Sequence, residues 1–230
     1  MELTVVGRHG PYADVGGAPC SCYLVQEGDT SLVLDMGPGS LGCLRKHIDI
    51  RKVTAFYFTH MHYDHVSDFL AMHYLLDDLN HKVKVIVQKS DLPIYDLLFN
   101  HPLVEVVNID ESSEIKIGDF TLTFTLMKHP IPNYGIRIKG ATRTLCYTGD
   151  TMYTPKLIDF FRGADAVLAD CSKPADYDGP HVNVTKAIQL EQETGARILA
   201  THITPGKVPY HSFKDVPNME IVEIGQKYSI

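Results

Sequence analysis

Four side chains able to bind a metal ion crowd into one short stretch, Thr59-His60-Met61-His62-Tyr63-Asp64-His65. Neutral imidazole and carboxylate are suitable ligands for zinc and similar divalent ions. The stretch follows residues 53–59, an apolar run rich in β-branched and aromatic side chains that reads as a buried strand. If the chain stays extended beyond that strand, His60, His62 and Asp64 project to one side, because strand side chains alternate with a period of two. A chain holding 12 histidines in 230 residues would show this HxHxDH spacing by chance in roughly a few sequences per thousand. With the strand in front, coincidence is a poor account. The stretch reads as a metal site.

The elements that must position it alternate between strands and helices. Residues 3–6, 20–26 and 32–35 form a meander of strands, followed by a helix around 41–47. After the motif comes a helical run over 66–79, with apolar residues at Phe69, Leu70, Met72, Leu75, Leu76 and Leu79. A strand at 82–88, a short helix at 91–99 and strands at 103–109, 114–117 and 120–127 continue the pattern, the last two joined as a hairpin. The strand over 120–127 delivers His129, and Pro130 and Pro132 stiffen the chain behind it. The strand over 143–147 ends at Asp150, a ligand-type residue that taken alone reads as a helix N-cap. The strand over 166–170 ends in Asp170. A polar loop then leads to His181 and an amphipathic helix over 183–194, which closes at Gly195. The strand over 197–201 ends in His202, and a strand at 219–224 is the clearest feature of the remaining tail. Each candidate ligand lies just past a strand, where sheet-based folds build active sites.

Other residues invite a plainer reading. The glycine-rich loop over 7–19 has no helix behind it and fails the context test for a dinucleotide fingerprint, so Arg8 and His9 are expected at the surface. Asp35 either supports the site from behind or stabilises a turn, and His73 is expected to be structural. Cys20 and Cys22 read as small buried strand residues rather than a metal pair. Five scattered cysteines favour reduced thiols.

Composition narrows the class. The length suits one domain over residues 1–230, and no linker, repeat or low-complexity tract divides it. A formal charge of −7 argues against a broad nucleic-acid face. No apolar run approaches a membrane span, and the N-terminus opens as a strand without a leader, so the expected location is the cytoplasm.

The set His60, His62, Asp64, His65, His129, Asp150 and His202 resembles, in order and context, that of the metallo-β-lactamase-fold hydrolases. The resemblance covers residues 2–224 and implies an α/β fold, a four-layer αβ/βα sandwich with two mixed sheets, helices outside and a two-metal site along one edge. Within that superfamily the chain is similar to the ribonuclease Z-like branch, through Asp35-Met-Gly-Pro-Gly39, His129-Pro-Ile-Pro-Asn-Tyr-Gly135, Tyr147-Thr-Gly-Asp-Thr151, His181-Val-Asn-Val-Thr185 and Leu199-Ala-Thr-His-Ile-Thr-Pro205. The resemblance implies that His60, His62 and His129 hold one metal, that Asp64, His65 and His202 hold the other, and that Asp150 bridges them. It makes His181 a catalytic histidine that binds no metal, and places Asp170 where the branch carries a glutamate that pairs with it. Two departures stand out. Ser67 falls near where relatives carry glycine, and only 20 residues separate His129 from Asp150, which leaves no room for the tRNA-clamping arm of ribonuclease Z.

The expected activity is therefore hydrolysis of a small or cyclic phosphodiester or nucleotide by two divalent ions, zinc by default, with manganese, iron or nickel as substitutes. Asp64 would orient the attacking water, His181 would serve as general acid and Asp170 would hold its ring. Asn133 and Tyr134 either touch substrate or shape the loop. Competing readings are a tRNA 3′-processing endonuclease acting on RNA, a thioester or lactone hydrolase, a diiron redox protein and a metal-binding sensor domain. By resemblance, the chain is expected to form a homodimer.

Overall fold

Ala55–Phe58 and Ala166–Asp170 are buried at every position, the pattern of strands covered on both faces. A computed structural model describes residues 1–207 and 216–230, and places each of these strands inside a sheet with helices behind it. The first half runs β1 (Glu2–Gly7), β2 (Cys22–Glu27), β3 (Thr30–Leu34), α1 (Ser40–Leu44), β4 (Ala55–Phe58), α2 (Tyr63–Val66), α3 (Asp68–Leu79), β5 (Val83–Val87), α4 (Pro93–Phe99) and β6 (Val104–Asn108). The second half runs β7 (Glu114–Ile117), β8 (Phe120–Met127), β9 (Asn133–Lys139), β10 (Thr144–Tyr147), α5 (Lys156–Phe161), β11 (Ala166–Asp170), α6 (Val184–Thr194), β12 (Arg197–Thr201), β13 (Met219–Ile221) and β14 (Lys227–Ser229).

Among the described residues these strands make two seven-stranded sheets, ordered β14-β1-β2-β3-β4-β5-β6 and β13-β12-β11-β10-β9-β8-β7. Each sheet is antiparallel at one end and parallel at the other. Their inner faces meet in a core that includes Tyr23, Tyr57, Phe120, Phe124 and Tyr147. The outer face of the first sheet packs on helices through Phe56, Phe58, Phe69 and Leu76, and that of the second through Phe160, Phe161, Ala187 and Leu190. This is the expected four-layer αβ/βα sandwich. No helix among the described residues is long and apolar enough to cross a membrane.

Three elements differ from the sequence reading. Residues 133–139, to which the sequence reading assigned no strand, form β9, because both neighbours pair with it: Met127 opposes Asn133 on one side, and Tyr147 opposes Ile136 on the other. The single helical run over 66–79 begins earlier and divides into α2 and α3 at Ser67. The tail supplies an edge strand to each sheet, with β13 ending at Ile221 rather than 224 and β14 pairing with β1. The interval between His129 and Asp150 is occupied by β9, a short turn and β10.

Candidate metal centre

β4 ends at Phe58, Thr59 lies in a bend, and His62 is the extended N-cap of α2. Asp64 and His65 then lie on a helical turn, so the expected projection of His60, His62 and Asp64 to one side fails at Asp64: a helical residue leaves the period of two. Among the described residues three overlapping donor sets result; one joins Asp150 and His202 to Asp170 and His181, and the other two hold the expected ligands. His60, His62, His129 and Asp150 bring ligand atoms within 4.8 Å of one another, and so do Asp64, His65, Asp150 and His202. Asp150 belongs to both. Its Oδ2 lies 3.8 Å from His60 Nε2 and 3.9 Å from His129 Nε2, while its Oδ1 lies 3.2 Å from His65 Nε2 and 3.3 Å from His202 Nε2. It is not a helix cap, since α5 begins only at Lys156 behind Pro155.

The remaining ring nitrogens are mostly held from behind. His60 Nδ1 meets Thr59 Oγ1 at 3.0 Å, and His129 Nδ1 meets the Pro180 carbonyl at 3.3 Å. His65 Nδ1 donates to Asp35 Oδ2 at 2.8 Å. Asp35 also accepts from the Thr59 backbone N–H, the Thr59 hydroxyl and the Tyr147 hydroxyl. Of the two readings open for Asp35, support of the site is the one observed. Such outer partners fix which nitrogen points at a metal and how the ring lies. Gln88, just past β5, ties the Thr59 and Pro132 carbonyls together, joining the segments that carry His60 and His129. The sequence reading passed over Gln88, although its place beyond a strand is the signal that found the others.

The donors suit divalent cations. His60 Nε2 and His129 Nε2 lie 3.0 and 3.1 Å from His62 Nδ1, close to the ligand–ligand edge of about 3.3 Å implied by tetrahedral zinc with bonds near 2.0–2.1 Å. His65 Nε2 and Asp150 Oδ1 are buried, 3.2 Å apart, and form no well-aligned hydrogen bond, so a divalent cation between them would satisfy both. Charge is distributed unevenly. Burial holds the His60 and His62 pKa values down and brings that of His129 to about 4, so these rings are neutral at pH 7. Burial acts the same way on His65 and His202, but Asp150 and Asp64 outweigh it and raise both. Burial would raise Asp64 and Asp150; the cationic forms of His65 and His202 reverse this, taking Asp64 to about 2 and Asp150 well below its ordinary value.

Beside the two sets, His181 Nδ1 donates to Asp170 Oδ2 at 2.8 Å, and His181 Nδ1 lies 3.8 Å from Asp150 Oδ2. The His181 ring stacks on that of His202, with centroids 5.2 Å apart. Asp170 is fixed in turn by the backbone N–H groups of Thr151 and Ser172. Two glycines are required here. Gly149 precedes Asp150 at φ 56°, where a Cβ would fall 2.5 Å from Asn133 Oδ1. A Cβ on Gly10 would lie 2.0 Å from His202 Nε2.

The loop over 7–19 therefore lies against the centre, which corrects the surface reading of Arg8 and His9. Both are buried. Arg8 pairs with Glu223 at 2.8 Å, and His9 Nδ1 meets the Ile203 carbonyl at 2.9 Å, beside His202. Asn133 is also fully buried and donates to the Thr148 and Asp150 carbonyls, so it shapes the site rather than touching substrate. His73 bonds the Leu98 carbonyl away from the centre. Cys20 and Cys22 are buried free thiols; burial pushes Cys20 up to about 12 and Cys22 well above its ordinary value, so neither offers a thiolate.

Residues 30–203 match the family model described as Beta-lactamase superfamily domain. The chain belongs to the beta-lactamase superfamily. Its relatives there include the "Probable metallo-hydrolase YhfI" of Bacillus subtilis, 29% identical over 213 residues that cover 88% of this chain and 87% of the relative. The crystal structure of the metallo-beta-lactamase fold protein YhfI superposes with a TM-score of 0.92 at 27% identity, covering 99% of this chain and 98% of that one. Human tRNase Z, short form, shares the superfamily fold at a TM-score of 0.78 and 16% identity, covering 100% and 99%. A diphosphatase from the PhnP family shares it at 0.79 and 17%, covering 100% and 97%.

Proposed function

We propose that this chain is a metal-dependent hydrolase of a small or cyclic phosphodiester or nucleotide. His60, His62 and His129 would hold one divalent ion, Asp64, His65 and His202 a second, and Asp150 both. The observation that carries the reading is the Asp150 carboxylate, which turns one oxygen to each donor set, with the His181–Asp170 pair beside it. When bound, two such ions polarise a phosphoryl group and bring the pKa of water from 15.7 towards about 7. The naming of the B. subtilis relative as a probable metallo-hydrolase supports hydrolysis.

The side chains divide the remaining work. Asp64 is ionised at neutral pH, so it can accept a hydrogen bond from the attacking water and orient it. Asp170 accepts a hydrogen bond from Nδ1–H of His181 and fixes the ring, which leaves Nε2, when the ring is in its doubly protonated form, to donate to the oxygen that departs. The hairpin of β9 and β10 occupies the interval where ribonuclease Z carries its arm, which favours a small ester over a tRNA. The test is turnover of bis(p-nitrophenyl) phosphate beside a thioester and lactone panel and a precursor tRNA, with metal content measured on the same sample. The expected result is diester turnover that a chelator abolishes and zinc restores. Turnover confined to thioesters, lactones or tRNA would overturn the phosphodiester reading.

A further inference from the structure

A cavity of about 370 Å³ opens beside the centre, and its walls are apolar: Met61, Tyr63, Leu92, Ile94 and Ile131, closed on one side by His62. No charged side chain lines it. The walls come from three segments that the centre itself fixes or adjoins. Met61 and Tyr63 flank the ligand His62, Ile131 follows the ligand His129 by two residues, and Leu92 and Ile94 lie at the start of α4. Tyr63 is 70% exposed and Leu92 39%. Large apolar side chains left in water around a concavity mark a surface that something covers. A second cavity of about 200 Å³ meets the site through His181, and there Asp178, Asn183 and Lys186 stand among Met152, Tyr153 and Tyr177. The two approaches to one centre differ in chemistry, so they sort the two ends of a substrate.

We propose that the cavity beside His62 is a specificity subsite for an uncharged aryl or similarly apolar ester substituent of the substrate. The proposal rests on the hydrolase reading above, because His62 is the wall shared by the cavity and the first donor set. A phosphoryl group held at that set would have the apolar walls beside it, across His62. Burying a ring there removes both the ring and the exposed faces of Tyr63 and Leu92 from water.

Binding and turnover separate the subsite from the reaction. Calorimetry on the zinc-loaded protein compares phenylphosphonate with methylphosphonate, which share a headgroup and differ only in the substituent. Phenylphosphonate is expected to bind about ten-fold or more tightly. That preference should fall towards one in Leu92→Asn and in Tyr63→Ser. Leu92 is the N-cap of α4, where asparagine is favoured, so that variant keeps its fold. Tyr63 is mostly exposed, which makes its replacement mild. In turnover, phenyl p-nitrophenyl phosphate should exceed methyl p-nitrophenyl phosphate in kcat/KM by a similar factor, with the same loss in the variants. A phenyl preference in binding without turnover of either diester would uphold the subsite and overturn the phosphodiester reading. Equal binding of the two phosphonates, or no binding of either, would overturn the subsite. So would a phenyl-to-methyl ratio unchanged in both variants, including the case where Tyr63→Ser instead converts a dimer to a monomer on size-exclusion chromatography. That result would assign the patch to a second copy of the chain.

Discussion

Asp35 has no exposed surface and a backbone φ of 57°, and its carboxylate collects donors from Thr59, His65 and Tyr147. Through Thr59, which also meets His60, it links the two donor sets. Asp35→Asn keeps the volume and tolerates the left-handed backbone. It offers one acceptor instead of two, however, and turns an N–H₂ towards groups that donate. Zinc affinity is expected to fall about 10–100-fold in competition with a chromophoric chelator, with the far-UV dichroism retained. His181 gives the opposite pattern, because its ring is held by Asp170 and not needed for either proposed ion. His181→Ala should lose about 10²–10⁴-fold in kcat while elemental analysis finds the metal content unchanged. Metal loss in step with activity would instead make His181 a ligand. Sequence spacing located both residues but could not choose between roles for Asp35, because its partners lie 24, 30 and 112 positions away.

At the scale of elements, the loop between β1 and β2 has the least legible role. Its glycines suggest freedom, yet Gly10 is where the backbone passes against the His202 ring, too close for any Cβ. Gly10→Ala must displace either the loop or the ring. Zinc bound by the second donor set should be lost and activity should drop by an order of magnitude or more, read by zinc content and turnover, while the melting temperature of the metal-free protein should be little changed because the sheets are untouched. β9 was hidden for a related reason. Pro130 and Pro132 lie before it and Gly135 within it, which are local signals of a loop, and only pairing with β8 and β10 makes it a strand. Most of α2 went unread because residues 63–65 carry no apolar spacing, and only its last residue, Val66, was read with α3. The separation matters, since α2 is what turns Asp64 and His65 towards the second set.

Taken as a whole, each donor set spans both sheets. His60 and His62 follow β4 of the first sheet, while His129 and Asp150 follow strands of the second; Asp64 and His65 on α2 face Asp150 and His202. Ions bound there would clamp the two halves, so chelation is expected to lower the melting temperature, by an amount that grows with the zinc concentration of the loaded sample. Acid should remove the ions in order. His129 stays neutral as pH falls from 6.5 to about 4, because burial depresses it, and His60 and His62 are shifted the same way. His65 and His202 are shifted upwards and take up protons first. Dialysis in downward steps that start above pH 6.5 should therefore release one equivalent of zinc before the other. A variant of His129 should abolish the more acid-resistant step. In the metal-free chain the sign for His129 is the usual one for a depressed histidine. Its contribution to stability is complete above pH 6.5 and is lost as pH falls through about 4.

The sequence by itself determined which side chains can do chemistry: the donor types, their order from His60 to His202 and the place of His129, Asp150 and His202 just past strands are local facts, written in side-chain identity and in the period of apolar residues. Tertiary structure alone decided how those residues divide. That Asp150 serves two sets with its two oxygens, that Asp35 reaches His65, and that the buried start of the loop after β1 presses Gly10 on His202 all depend on segments far apart in the chain. Such contacts exist only once two sheets have packed face to face, because packing, and no local preference, sets which strand ends meet.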